Sequence, residues 1–239
     1  MSTRWQRATL AEAEFWKKQS RAIRDPAYRK EIAVRAHRVE KWLGRFLRIS
    51  PETDILEIGG GGTQLIDFFA CGERHAVDPL ACLYQEQFGG VLNSEVKWTQ
   101  GKAEALPYPD ESFDIIISRN TLDHVELPDK ALAEIQRVLR PGAILYLGLN
   151  TLSGVLFLIR TVKKSAEHPS VFSPSGIARR LRGAGFAMLD SEEDAPENMV
   201  AFVEGPGDNG YRSSLHRLFL RLGCYHFSEF ILKKPPVQK

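Results

Sequence analysis

The pattern of apolar and polar positions predicts two helices before residue 50. Residues 5–20 can form the first helix, and Asp25-Pro26 ends it because proline is tolerated only in the first turn of a helix. The second helix has apolar residues at helical spacing, which leaves its arginines and lysines mostly on the outer side. The apolar positions are Trp5, Ala8, Phe15 and Trp16 in the first helix, and Ile32, Ala36, Val39, Leu43 and Phe46 in the second. Together the two helices predict a helical cover over residues 1–50.

From residue 51 the pattern changes to short apolar runs that alternate with helical segments. Such alternation predicts an α/β fold, in which a mainly parallel sheet carries helices on both faces. The segment 191–210 is rich in Glu, Asp, Pro and Gly, which is typical of a substrate-facing insertion. Strands are predicted at 54–58, 74–78, 95–99, 113–118, 143–149, 186–189 and 225–232, and helices at 63–71, 80–88, 128–139, 174–183 and 215–222.

Composition and charge narrow the class of protein. The 239 residues can bury a full core, and 32 Lys plus Arg against 30 Asp plus Glu are too balanced for a nucleic-acid binder. Residues 1–48 do carry 13 basic against 5 acidic side chains, for which a solvated helix face is favoured over a binding patch. Three cysteines without metal-ligand spacing indicate ordinary thiols, and the charged start resembles no signal peptide. We therefore expect a cytoplasmic protein.

An apolar strand runs directly into four glycines at Asp54–Thr63, D-I-L-E-I-G-G-G-G-T. Consecutive glycines add no side-chain packing, and their usual role is to let a ligand approach bare backbone where a strand turns into a helix. The dinucleotide fingerprint G-x-G-x-x-G fails, because its third position falls on Gln64 or Leu65. A phosphate loop is excluded because no G-K-S/T follows. The pattern that fits is E-x-G-x-G, with Glu57 at the strand end.

Four ordered motifs between residues 54 and 149 resemble the class I S-adenosylmethionine-dependent methyltransferases. After the glycine run come H-A-V-D-P at the end of the second strand, G-K-A-E-A-L-P-Y-P-D-E-S-F-D at 101–114, S-R-N-T-L-D-H-V at 118–125 and A-L-A-E-I-Q-R-V-L-R-P-G-A at 131–143. The resemblance implies a Rossmann-like three-layer sandwich with seven mostly parallel strands and an antiparallel C-terminal strand. It also implies S-adenosyl-L-methionine as the cofactor. We expect one domain over 1–239, with a cover at 1–50, a cofactor-binding half at 51–150 and a substrate-side half at 151–239 that contains an insertion at 191–222.

The resemblance also implies a role for each matching residue. Asp78 stands where the family binds the ribose hydroxyls, although a simple helix cap before Pro79 is the alternative. Glu57 would organise the glycine turn, rather than being a surface carboxylate. Lys102 and Thr63 depart from the family pattern, and an ammonium at 102 cannot accept a hydrogen bond from adenine. The expected cofactor-binding residues are Glu57, Gly59, Gly60, Gly61, Asp78, Pro79, Leu80, Lys102, Ala103, Glu104 and Arg119.

His124 is the candidate catalytic base, with Asp123 beside it. A histidine near the transferred methyl group can accept the proton of a substrate hydroxyl. The alternative is a histidine that packs against the sheet edge or caps the next helix. No metal site is expected, because no Asp/Asn cluster is visible beyond the ribose and loop residues.

The sequence thus predicts a methyltransferase that acts on a small molecule or on a sugar- or lipid-linked intermediate, at oxygen rather than nitrogen. The absence of D-P-P-Y and N-P-P-Y runs argues against nucleic acid as the acceptor. One alternative is a non-catalytic binding or interaction protein that kept the fold. Another is action at a membrane surface through the basic helix 27–48 and the apolar segment after residue 149. The oligomeric state is left open.

Overall fold

The computed structural model describes residues 4–162, 169–194 and 224–236. The predicted helix at 215–222 and most of the predicted insertion at 191–222 lie outside these ranges, as do the side chains of Trp5 and Ala8. The described helices are α1 Arg4–Lys18, α2 Ser20–Arg24, α3 Pro26–Leu43, α4 Ala81–Phe88, α5 Pro128–Val138, α6 Gly154–Val162 and α7 Pro174–Gly183. The strands are β1 Asp54–Ile58, β2 Glu73–Asp78, β3 Lys97–Gln100, β4 Phe113–Arg119, β5 Leu139–Leu152, β6 Ala187–Asp194 and β7 Tyr225–Lys233.

These strands form a single seven-stranded sheet in the order β3-β2-β1-β4-β5-β7-β6. The pairs β1–β2, β1–β4, β2–β3 and β4–β5 are parallel, whereas β7 runs antiparallel to both β5 and β6. The predicted mostly parallel sheet with an antiparallel C-terminal strand is therefore confirmed. Strand order reverses between β1 and β4, and ligands of open α/β sheets bind at such a point, beyond the carboxyl ends of the strands.

Helices cover both faces of the sheet, as alternating strands and helices predict. One face packs against α5 and α7, which contribute Leu132, Ile135, Ile177 and Leu181 to a buried cluster with β4 and β5. The other face packs against α3 through Ile32, Ala36, Val39, Trp42 and Leu43. All of these positions except Trp42 were expected from the helical spacing, and the fifth expected position, Phe46, follows the end of α3 and is partly buried against the same cluster.

The helix predicted at 63–71 is wrong. In its place two short 3-10 turns, Gly61–Thr63 and Ile66–Phe68, are separated by Gln64 in an extended conformation. The segment buries Leu65, Ile66 and Phe69 together with the polar residues Gln64 and Asp67. The segment therefore lacks the exposed polar face of an amphipathic helix.

Two further boundaries differ from the prediction. Strand β6 extends to Asp194, so the first residues of the segment expected to be irregular pair with β7 instead. Helix α6 was not predicted, because its apolar residues closely follow those of β5 and the two read as one apolar stretch. Among the described helices, none combines the length and apolar character needed to cross a membrane.

The basic side chains of α3 are not simply a solvated face. Arg38 contacts Glu192 and Glu229, and Arg45 contacts Asp190. These acidic residues lie on β6 and β7, at the far edge of the sheet. Arg38 of α3 and Arg45 just after it therefore attach the helical cover to the C-terminal strands through ion pairs, a contact between distant segments that helical spacing does not predict.

Candidate functional site

The turn after β1 contains two glycines, Gly59 and Gly61, at positions where a larger residue would not fit. Gly59 and Gly61 have φ angles of +70° and +58°, a region that residues with a Cβ atom rarely adopt. A Cβ at Gly59 would lie 2.5 Å from Oγ1 of Thr121, and one at Gly61 would lie 2.6 Å from the indole of Trp16. The Thr121 hydroxyl donates a hydrogen bond to the carbonyl of Ile58 at 2.9 Å, which ties the turn to the end of β4.

Glu57 lies beneath this turn and is 1% exposed. Its Oε2 accepts hydrogen bonds from the backbone N–H groups of Leu65 and Ile66 at 2.8 and 3.0 Å. Burial raises the pKa of Glu57 to about 8, even though the two amides oppose the shift. The carboxyl group thus organises the chain that follows the glycines, and it does not line the neighbouring cavity.

A cavity opens where β1, β2, β3 and β4 end. It contains about 750 Å³ of empty space, its open mouth included. Eight of the expected binding residues line it, together with the candidate base His124: Gly59, Gly61, Asp78, Pro79, Leu80, Lys102, Ala103 and Glu104. Glu57, Gly60, Asp123 and Arg119 do not.

Asp78 is the most deeply buried charged group of this cavity, with 6% exposure. Its Oδ1 accepts a hydrogen bond from the N–H of Leu80 at 2.8 Å, so the expected capping contact is present while the residue also lines the cavity. Burial raises the pKa of Asp78 to about 7, and the negative charge of Glu12 raises it further.

One wall of the cavity is mainly apolar. Leu80, Ala103 and Val125 line it together with the ring of Tyr84, which is 1% exposed. Glu104 also borders the cavity, but its Oε1 accepts hydrogen bonds from the N–H groups of Glu126 and Leu127 at 2.9 and 3.4 Å. This carboxylate is therefore committed to the loop before α5.

Helix α1 closes the opposite side, where Thr9 and Glu12 line the cavity. The indole Nε1 of Trp16 donates a hydrogen bond to Oε1 of Glu12 at 2.7 Å, and its ring packs edge-on against Tyr84. The sequence indicated Trp16 but missed Glu12. A signal was present, because residues four apart share one face of a helix and Glu12 stands four before the tryptophan.

His124 reaches the cavity from the loop after β4. Its Nε2 lies 3.8 Å from Oδ2 of Asp123, and the two side chains are 32% and 6% exposed. The backbone N–H of His124 bonds the carbonyl of Thr121 at 2.9 Å, which fixes the tight turn that presents the imidazole. The arrangement places a potential proton acceptor at the cavity, with a buried carboxylate within ion-pair distance. Within the described ranges, no three His, Cys, Asp or Glu side chains are grouped to hold a metal ion.

Comparison with known proteins indicates which family this chain resembles. Residues 56–147 match the family model described as a methyltransferase domain. The ubiquinone/menaquinone biosynthesis C-methyltransferase UbiE of Hahella chejuensis is 36% identical over 97 residues, which are 37% of this chain and 39% of that protein. The match thus spans about two fifths of that relative's length.

Solved structures extend the likeness over most of the chain. The [4+2]-cyclase SpnF has a TM-score of 0.59 at 20% identity, and the match covers 83% of this chain and 81% of the cyclase chain. A phosphoethanolamine N-methyltransferase of Haemonchus contortus, in complex with phosphomonomethylethanolamine and S-adenosylhomocysteine, has a TM-score of 0.61 at 18% identity. This match covers 81% of the present chain and 51% of that enzyme. At these identities the likeness establishes a shared fold.

Proposed function

We propose that this chain, whose residues 56–147 are the methyltransferase domain of a class I S-adenosylmethionine-dependent family, transfers a methyl group to an oxygen of a small molecule or of a sugar- or lipid-linked intermediate. One observation carries the proposal: the cavity beyond the parallel strands joins a bare glycine turn, a buried carboxylate and a histidine. The first two features suit the cofactor, and the histidine suits a protonated acceptor.

The residues present fit S-adenosylmethionine, the cofactor of this family. Asp78 would accept hydrogen bonds from the two ribose hydroxyls, which a carboxylate can do with both oxygens. Gly59 and Gly61 would border the amino-acid end with backbone alone, since both line the cavity and neither carries a side chain. Leu80, Ala103 and Tyr84 offer apolar surface to the adenine ring, with Pro79 and Lys102 at the rim. Glu57 would act indirectly, by fixing residues 65 and 66 behind the turn.

The bound cofactor supplies an activated methyl group on a sulfonium, and direct displacement asks the protein chiefly for position and for exclusion of water. Helix α1 serves the second need, because Trp16 covers Gly61 and Glu12 borders the cavity. Positioning of the acceptor falls to the loop after β4, where Asn120, Thr121 and His124 line the same cavity.

His124 supports oxygen as the acceptor atom. A hydroxyl group is a poor nucleophile until its proton is removed, and an imidazole at the cavity wall can accept that proton. Asp123 lies close enough to orient the ring and to stabilise its charged form. By their names, the UbiE relative methylates carbon and the Haemonchus contortus enzyme methylates nitrogen, so the assignment to oxygen depends on this histidine.

Calorimetric titration with S-adenosylmethionine and S-adenosylhomocysteine tests the cofactor assignment first. Micromolar binding of both, weakened at least about tenfold by Asp78→Ala, is the expected result, which corresponds to about 1.4 kcal/mol or more. A screen of hydroxyl-bearing acceptors that measures S-adenosylhomocysteine release then tests the reaction. No binding to a folded wild-type sample would overturn the proposal.

The alternative function is a binding or catalytic role without methyl transfer. The structural likeness to a [4+2]-cyclase supports this alternative, because one fold can host unrelated chemistry. Its signature would be tight binding of the cofactor without release of S-adenosylhomocysteine in the presence of any acceptor.

A further inference from the structure

Arg119, the last residue of β4, lies outside the cofactor cavity although its neighbour Asn120 lines it. Ile115 and Ile117 of β4 pack against α3, and alternate residues of a strand share one face, so the Arg119 side chain lies on the face that α3 covers. Its guanidinium carbon is 4.6 Å from the centre of the Phe227 ring. Stacking of this kind fixes the plane of the guanidinium and leaves its N–H edges available for a planar or tetrahedral anion.

The space that Phe227 occupies exists because residue 148 is a glycine. A Cβ at Gly148 would lie 3.1 Å from the Phe227 ring and 3.0 Å from the hydroxyl of Tyr146. Gly148 pairs with Arg119 across the sheet. The glycine at position 148 of β5 therefore leaves the space in which the Phe227 ring lies against the Arg119 guanidinium.

A second arginine, Arg35 of α3, is close enough to Arg119 that the two positive charges repel. Burial lowers the pKa of Arg35 to about 10 and the charge of Arg119 lowers it as well, whereas Tyr28, Tyr146 and Glu229 oppose the shift. The half-buried Tyr28 lies near both guanidinium groups, and burial raises the pKa of its hydroxyl, which keeps the proton available for donation.

The carboxylates around Arg119 are engaged elsewhere. Glu57 binds two backbone amides, and Glu229 accepts from Arg38 at 2.5 and 2.6 Å and from the hydroxyl of Tyr146. Among the described residues, the buried Nε of Arg119 has no hydrogen-bond partner. A buried donor in this state is costly, and two adjacent guanidinium groups add to the cost. Both costs fall when an anion enters.

We infer that Arg119 and Arg35, with Tyr28, form an anion-binding subsite that holds a carboxylate or phosphate group of the methyl acceptor. The inference rests on the proposed function and deepens it, because it restricts the acceptor to acidic molecules. The subsite is one residue along β4 from Asn120, so an acid group held there leaves the rest of the acceptor beside the cavity. Neither arginine lines that cavity, which separates this subsite from the cofactor.

The test is a titration of the full chain with inorganic phosphate and with acetate, at constant ionic strength, in the absence and presence of saturating S-adenosylhomocysteine. Calorimetry and the thermal unfolding midpoint provide the readouts. We expect saturable phosphate binding that persists when S-adenosylhomocysteine is bound. Arg119→Met and Arg35→Met should each weaken it at least about tenfold, which is about 1.4 kcal/mol. Arg45→Met, just after the end of α3, is the matched control and should change phosphate affinity less than about twofold, because its partner is the distant Asp190.

Three results would overturn the inference. One is the absence of saturable anion binding, and another is competition between phosphate and S-adenosylhomocysteine. The third is a tenfold loss of S-adenosylhomocysteine affinity in Arg119→Met, which would assign the arginines to the cofactor's own carboxylate. If Arg119→Met does not fold, Arg119→Lys and Arg35→Met carry the test. Failure of the proposed function itself would be seen separately, as a wild-type chain that binds no S-adenosylhomocysteine while its anion titration still gives a result.

Once an acceptor is found, the same variants give a second readout. For an acidic acceptor, Arg119→Met should raise KM at least about tenfold with a smaller change in kcat, since the subsite lies away from the reacting atoms. The methyl ester of that acceptor should react equally with the wild type and the variant. Equal KM values for acid and ester in the wild type would contradict the assignment.

Discussion

The indole of Trp16 lies directly over Gly61, so close that a methyl group on the glycine would approach Cζ2 at 2.6 Å. This contact joins the N-terminal cover to the glycine turn, two segments that are 45 positions apart in the sequence. Closure of α1 and the shape of the turn therefore depend on each other. The cover is therefore part of the proposed cofactor site rather than an appendage to it.

Gly61→Ala should damage both stability and cofactor binding. The φ angle of +58° costs a residue with a Cβ about 1–2 kcal/mol, and the contact with Trp16 adds to it. We expect S-adenosylhomocysteine affinity to fall at least about tenfold by calorimetry. Gly90→Ala is the control, because a Cβ there meets nothing within 4 Å. Equal behaviour of the two variants would contradict the role given to the Trp16 contact.

Cofactor affinity should rise with pH until Asp78 is ionised. Burial raises the pKa of this carboxyl to about 7, and the ionised form is the better acceptor for ribose hydroxyls. The dissociation constant of S-adenosylhomocysteine should therefore fall as pH rises through about 7 and level off above about pH 8. Asp78→Asn should remove this dependence, and Glu12→Gln should move its midpoint to lower pH. A wild-type affinity that is flat over this range would show that Asp78 does not contact the ligand as proposed.

Glu57 should make the folded state less stable as pH rises. Its pKa is about 8 in the folded protein against a reference of 4.5, so the folded state binds the proton more tightly. This contribution to stability is complete below pH 4.5 and is lost as pH rises through about 8. Urea unfolding at several pH values should give a flatter profile for Glu57→Gln. The exposed Glu86→Gln serves as control, and a profile that is no flatter in Glu57→Gln than in the control would refute the prediction.

Arg38→Met should destabilise the fold by leaving a buried carboxylate without its strongest partner. Glu229 is 0% exposed, whereas the Arg38 side chain is 42% exposed, so the loss should be below the range for a fully buried pair, at about 2 kcal/mol. Arg45→Met breaks a more exposed pair and should cost less than about 1 kcal/mol. Urea midpoints measure the stability of both variants, and equal losses would argue that the Arg38–Glu229 contact contributes no more than an exposed ion pair.

His124→Ala should reduce turnover by roughly a hundredfold while leaving cofactor affinity unchanged, because a general base acts on the acceptor and not on the cofactor. The activity of the wild type should fall at low pH as the imidazole becomes protonated, and this limb should be absent from the variant. His37→Ala, an exposed histidine on α3, is the control. Full activity in His124→Ala would leave the histidine as a packing residue of the loop.

Most of the sheet was predictable from local pattern. The strands at β1, β2 and β4 and the helices α4, α5 and α7 follow from apolar runs and helical spacing, since each buries a face that the sequence marks. The prediction failed at residues 63–71, where Glu57 takes the N–H groups of Leu65 and Ile66. That hydrogen bonding is set by a residue eight or nine positions earlier, beyond the range of helical periodicity.

The sequence by itself determined the fold class, the glycine turn and the place of Asp78, because these depend on backbone geometry and on residues adjacent in the chain. Only the tertiary structure decided that Glu12 borders the cavity, that Arg119 lies on Phe227 beside Arg35, and that Arg38 holds Glu229. Each of these relationships joins segments from different parts of the chain. Their distances, burial and mutual charges arise only when the sheet brings those segments together, since a local pattern carries no information about which distant side chain it will meet.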